Sequence, residues 1–228
     1  MKKIILSLAF LFSIAFAQSQ NLIRFYQNAK VGYKDPITNE VIVQPDYYAG
    51  SEFKDGVALV LQNNKRGFIN NKGEVIIPFM YDDASLFFDG IAKVMKNGKY
   101  GYIDLKNNTV IPFQFEFADD FANGLARVKQ NGKYGFINRD GKTVIECKYT
   151  NAYNFSEGLA AVHETKWGFI NSAGVIVIPM KYDNAYFFKN GEALVIEGSK
   201  KFYINTNGKF LREAEDPEEH EREEMGRK

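Results

Sequence analysis

The chain is poor in the residues that carry most enzymatic and metal chemistry. Its 228 residues include one cysteine, two histidines and one tryptophan. Cys147 has no partner within the chain, so the fold has no internal disulfide to lean on, and the residue reads as an apolar filler in a strand. His163 and His220 stand near no Cys, Ser or second His at metal or triad spacing, which argues against a His-rich zinc site and a Ser-His-Asp relay. No Walker loop, G-x-S-x-G elbow or dinucleotide fingerprint occurs, and no cofactor is expected. An excess of either charge is missing too. With 29 Lys and Arg against 28 Asp and Glu, the chain has no long-range pull on nucleic acid or anionic lipid.

Long apolar runs are absent except at the start. Met1-Lys2-Lys3 is followed by an uncharged run from Ile4 to Ala17, ending in Ala15-Phe16-Ala17 before polar Gln18-Ser19-Gln20. This is the pattern of a signal peptide with an A-x-A cleavage site over residues 1–17. The run is shorter than the roughly 20 residues needed to cross a bilayer. The expectation is an exported protein, periplasmic or secreted, with no stable membrane insertion after cleavage. Loss of two lysines then takes the formal charge from +1 to −1.

What the chain does have is repetition, the first thing to seek in a sequence. Gly67, Gly101, Gly135 and Gly168 each precede an aromatic residue, an isoleucine and Asn or Asp, as in Phe136-Ile137-Asn138. Gly32-Tyr33 is a worn copy at the front, and Phe202-Tyr203-Ile204-Asn205 is one at the back, with Phe202 in place of glycine. A second column holds Gly56, Gly90, Gly124, Gly158 and Gly191, spaced 34, 34, 34 and 33 residues apart. Alanine follows each of these glycines by two residues and valine by four. Phe53, Phe87, Phe121, Phe155 and Phe188 precede them by three.

Each unit of about 34 residues reads as a three-stranded antiparallel meander. Val128 to Phe136 is an extended segment, the pair Asn131-Gly132, and a second extended segment, because Asn and Gly tolerate the positive φ of two-residue hairpin turns. A further turn at Arg139-Asp140-Gly141 leads into Thr143-Val144-Ile145. The third strand is expected to close at Pro78, Pro112 or Pro179, with Glu146 in that place in the fourth copy. The connection between copies carries Tyr81, Ala84, Phe87 and Phe88 at spacings that fit a short helical turn. One such unit cannot bury its apolar face alone, so stacked neighbours must make the core.

These columns resemble the WG repeat of bacterial proteins, in which Lys-Trp-Gly, an aromatic residue, Ile and Asp or Asn precede a Gly turn, an aliphatic strand and Tyr-Asp. Lys166-Trp167-Gly168-Phe169-Ile170-Asn171 matches it literally. Lys99-Tyr100-Gly101 and Lys133-Tyr134-Gly135 put Tyr for Trp, and Lys65-Arg66-Gly67 puts Arg. The resemblance covers roughly residues 29 to 211. It implies a β-rich repeat module, often exported, with no activity or cofactor tied to the repeat itself.

Two columns are candidates for chemistry. Asp82, Asp83, Glu116, Asp119, Asp120 and Asp183 recur beside the connections, and a pair of them in a cleft would suit glycoside hydrolysis. Their recurrence in several units fits turn or capping carboxylates better. Arg66, Tyr100, Tyr134 and Trp167 vary in type and mix charge with ring, which marks them as a partly exposed face and the best candidate binding ladder. Strand alternation puts Tyr134 with Phe136 and Trp167 with Phe169 on one side. The invariant Phe column fits packing between units.

The expected organisation is a signal peptide at 1–17, a lead-in at 18–28, a β domain at 29–211 and a charged tail at 212–228. The expected fold is all-β, a tandem array of about five three-stranded meanders, open and twisted rather than closed into a five-bladed ring. The functional expectation is a non-catalytic binding or scaffolding module of the envelope or exterior, holding an unidentified protein or glycan. A glycan-acting hydrolase is the alternative.

Overall fold

The structure is a computed structural model, and it describes residues 22–214. The expected signal peptide, the first part of the lead-in and nearly all of the charged tail, including His220, lie outside the described residues. Among the described residues every regular element is a β-strand, arranged in six antiparallel sheets. The first sheet has three strands and each of the other five has four. Its first strand, Ile23–Gln27, lies in the segment that reads as a lead-in. That segment lacks the glycine and alanine columns, yet it pairs residue for residue with Lys30–Lys34.

The second sheet shows how a unit is built. The hairpin Val57–Gln62 and Lys65–Asn70 turns through Asn63 and Asn64, both at positive φ, and Asn97-Gly98 and Asn131-Gly132 make the same turn in the next two sheets. At the end of the central strand, Asn70 Oδ1 accepts the N–H groups of Lys72 (2.9 Å) and Glu74 (3.0 Å). Asp104, Asn138, Asn171 and Asn205 do the same in the later sheets. The Asn or Asp after each isoleucine is therefore the turn nucleus that reverses the chain into the outer strand.

The outer strands are Val41–Tyr47, Val75–Tyr81, Thr109–Phe115, Thr143–Tyr149, Ile176–Tyr182 and Phe210–Glu213. Pro78, Pro112 and Pro179 lie inside these strands and do not end them. The register explains why they are tolerated. Phe68 faces Ile77 and Arg66 faces Tyr81, so two residues of the central strand span four of the outer one. Proline sits in that bulge on a strand with no further neighbour, where a missing N–H breaks no ladder.

The same bulge accounts for the glycine before each aromatic. A Cβ on Gly67, Gly101 or Gly168 would stand 2.7 Å from the carbonyl oxygen of Ile77, Ile111 or Ile178, and on Gly135 only 2.5 Å from that of Ile145. In the last sheet Phe202 and Tyr203 face Glu213 and Arg212 in unbroken register, and there a phenylalanine replaces the glycine.

After each outer strand except the last, the chain forms no helical turn. It forms a two-residue strand such as Asp83–Ala84, which pairs with the first hairpin strand of the next sheet. The aromatic spacing that fits a helix arises here from an extended connection whose ring drops between sheets. Phe53, Phe87, Phe121, Phe155 and Phe188 each pack on the aromatic residue after the recurring glycine of the preceding sheet. Ring centroids are 4.8 to 4.9 Å apart in all five pairs.

Five apolar cores lie between consecutive sheets. The third is typical: Tyr102, Ile111 and Phe115 of one sheet meet Ala118, Ala126, Val128 and Ile137 of the next. Each sheet is thus covered by its neighbours, as in repeat architectures. Five cores joining six sheets is the arrangement of an open array, and no sheet closes on itself.

Candidate functional site

The column Arg66, Tyr100, Tyr134 and Trp167 does not form an open ladder. Trp167 is 8 % exposed, lies on the Tyr153 ring at 5.4 Å and has His163 at 5.2 Å. Its strand is paired on both sides, opposite His163 and Tyr182, and the next sheet covers its outward face. The indole is core, and its place in the candidate binding ladder is corrected accordingly. Arg66 donates to the Asp82 carbonyl (2.7 Å) and pairs with the Asp83 carboxylate (3.0 Å). Tyr100 donates to that same carboxylate at 3.2 Å, and burial pushes its hydroxyl up from the ordinary tyrosine value. Tyr134 packs edge-on against Phe117 at 6.0 Å, with the Arg127 guanidinium 5.5 Å from its ring. All three are half-buried and reach toward the next sheet.

Five of the six residues of the acidic column are also in structural use, and the sixth, Asp120, is exposed. Asp82 accepts from Lys65 Nζ and from the Asn97 N–H (3.0 Å), tying the lysine of one repeat to the hairpin turn of the next. Asp183 does the same with Lys166 and the Gly198 N–H (2.7 Å). Glu116 holds the Gly132 N–H at 3.1 Å. The lysine hydrogen bond is the main reason that the Asp82 and Asp183 carboxyls sit below their ordinary pKa. Asp119 is bound to Arg127 at 2.9 Å. Where the fourth unit has Thr150 in this column, its hydroxyl meets His163 Nδ1 at 2.5 Å. Cys147 is half-buried, and burial raises its thiol pKa.

The repeated feature that reaches solvent is a different one. Each outer strand has a one-residue bulge, distinct from the bulge that holds the proline position, whose extra residue falls between two paired positions: Ile42, Ile76, Val110, Val144, Val177 and Leu211. Every one is aliphatic. Ile42, Val110, Val144, Val177 and Leu211 are 38 to 41 % exposed, and Ile76 is half-buried. Further exposed apolar side chains flank this column, among them Val41, Val75, Ile176 and Phe210 on its outer strands. A signal for this column was present in the sequence. An antiparallel strand with one wet face should alternate, whereas Val110-Ile111, Val144-Ile145 and Val177-Ile178 place two aliphatics in succession. What hid it was the bulge, which periodicity alone does not reveal.

The sequence profile of the WG containing repeat matches five times, over residues 32–65, 67–100, 100–134, 134–163 and 167–200. The chain therefore belongs to the family of WG-repeat proteins. No curated protein matches its sequence. Among solved structures the chain is similar in fold to one titled as a eukaryotic initiation factor. The TM-score is 0.55 at 11 % identity, over 86 % of this chain and 63 % of that one. The chain thus spans less than two thirds of that protein. It also aligns with Hsv2 of Kluyveromyces lactis at 11 % identity, TM-score 0.47, over 81 % of this chain and 70 % of that one. A Bacteroides caccae protein of unknown function aligns at 15 % identity with TM-score 0.31, over 86 % of this chain and 94 % of that one. At these identities the first likeness speaks for the fold alone.

Proposed function

We propose that this is an exported, non-catalytic binding or scaffolding protein of the cell envelope or exterior, and that it holds a protein partner along the ridge of bulged aliphatic residues. The observation that carries the proposal is the bulge column itself. A bulge re-aims a side chain, and in six sheets of six the re-aimed side chain is Ile, Val or Leu. Contiguous apolar surface is the mark of protein contact more than of sugar contact. Export is supported by the charged start and short apolar run of residues 1–17. The hydrolase alternative gains nothing from the acidic column, since Asp82, Asp83, Glu116, Asp119 and Asp183 already hold lysines, arginines or turn amides.

The test is a variant with Val110, Val144 and Val177 all changed to Asp, compared with one carrying Tyr100→Ala and Tyr134→Ala. Both are used as bait for envelope extract, and their melting is followed by circular dichroism. The ridge variant should melt close to the parent and lose the captured protein, while the tyrosine variant should melt earlier and keep it. Capture that survives in a folded ridge variant would sink the proposal.

A further inference from the structure

Each of the five cores is built on the same pair of positions. The outer strand of one sheet supplies Val43, Ile77, Ile111, Ile145 or Ile178, and the central strand of the next supplies Ile69, Ile103, Ile137, Ile170 or Ile204. Two such positions remain at the ends of the array, where no sheet follows or precedes among the described residues. On the free face of the sixth sheet the outer-strand position is Arg212, facing Tyr203 in the register that sets Ile178 against Phe169. On the free face of the first sheet the central-strand position is Lys34, one residue after Tyr33 as Ile69 follows Phe68. Both isoleucine positions carry a cation.

We infer that these two cations make the ends of the array self-excluding, so that it neither closes into a ring nor strings head-to-tail with second copies. Either contact would set the sixth sheet against a first sheet in the geometry of the five existing cores. Arg212 and Lys34 would then occupy one apolar layer where every other interface has two aliphatic side chains. Two like charges cannot be desolvated together without large cost, and the carboxylate nearest them, Glu192 on Arg212, would have to be desolvated with them while Lys34 gained no carboxylate of its own. Lys201 adds a third cation to the sixth face, at the position that Tyr134 and Trp167 hold in earlier sheets.

The free faces already satisfy these cations in the isolated array. Arg212 pairs with Glu192 at 2.6 Å and lies 4.2 Å over the Tyr203 ring. Lys34 Nζ donates to Asn39 Oδ1 at 2.9 Å. The apolar remainder of the first face, Ile23 at 39 % exposure and half-buried Phe25, would otherwise suit an added sheet. Such charged end positions keep a repeat array soluble and finite.

The experiment is sedimentation velocity of the full chain over a wide concentration range, for the parent and for the double variant Lys34→Ile, Arg212→Ile. The parent should sediment as one monomeric species, and the double variant should shift to heavier species as concentration rises. A folded double variant that stays monomeric would overturn the inference, and so would a parent that already associates end to end. Folding is checked by the near-ultraviolet signal of buried Trp167. Should the double variant misfold, Lys34→Glu decides: it puts a carboxylate opposite Arg212, and association that weakens with salt is expected. A folded Lys34→Glu chain that remains monomeric at low salt would equally overturn the inference.

Discussion

Replacing Gly135 by alanine tests how the bulge and the repeat glycine depend on each other. The backbone of Gly135 has no positive φ, so the substitution acts through space alone. The new Cβ would stand 2.5 Å from Ile145 O, 2.7 Å from Cys147 N and 2.7 Å from Glu146 C. All three are backbone atoms of the bulged strand Thr143–Tyr149, and none is the yielding end of a side chain. Overpacking of a close-packed site costs about 1 to 3 kcal/mol, and relief here means moving a strand. The upper end, about 3 kcal/mol, is expected. For a chain of this size that is a fall in melting temperature of roughly 6 to 12 °C.

The companion change is Gly132→Ala. It sits at φ +74° with nothing within 4 Å of its Cβ, so it is penalised only for a left-handed backbone, by about 1 to 2 kcal/mol. Thermal melts followed by circular dichroism separate the two. If Gly135→Ala melts within about 2 °C of the parent, or no lower than Gly132→Ala, the steric account of the glycine column is wrong.

Two further outcomes follow from side chains already placed. Trp167→Ala removes an indole that is 8 % exposed and stacked on Tyr153, and should destabilise by about 3 to 5 kcal/mol in a urea titration. A loss of under about 1 kcal/mol would return Trp167 to the surface ladder suggested by its variable column. Asp82 and Asp183 have folded pKa values below the ordinary 3.8, chiefly through Lys65 and Lys166. Above that ordinary value both groups are ionised in folded and unfolded chains, and their stabilisation is complete. As pH falls through it toward the depressed folded values, the unfolded chain binds protons first and the stabilisation drains away. The double variant Asp82→Asn, Asp183→Asn should therefore have a lower urea midpoint than the parent near neutral pH, and the gap should close in acid. A gap that stays constant into acid would show that the carboxylates do not act through these pairs.

The sequence determined the repeat, its period, its strands and its hairpins, because each of these rests on local chemistry. Asn-Gly bends a chain wherever it stands, and a turn nucleus such as Asn138 needs only its own neighbours. It also marked the Phe column, since an apolar ring repeated at the period of the unit has few places to go besides the seam. The first sheet was harder to read, because Ile23–Gln27 lacks the repeat's signature and takes its place only by pairing. The two-residue strands were missed for the same reason: Asp83–Ala84 is a strand only because Met95 and Val94 lie beside it.

Exposure was decided by tertiary structure alone. Trp167 varies within its column as a surface residue does, yet two strands and a neighbouring sheet enclose it. Val110, Val144 and Val177 look like core residues, yet a bulge turns them to water. Periodicity assigns a side chain to one face of a strand. Whether that face is covered depends on register, bulge and neighbour, and those are settled only when the sheets are packed together.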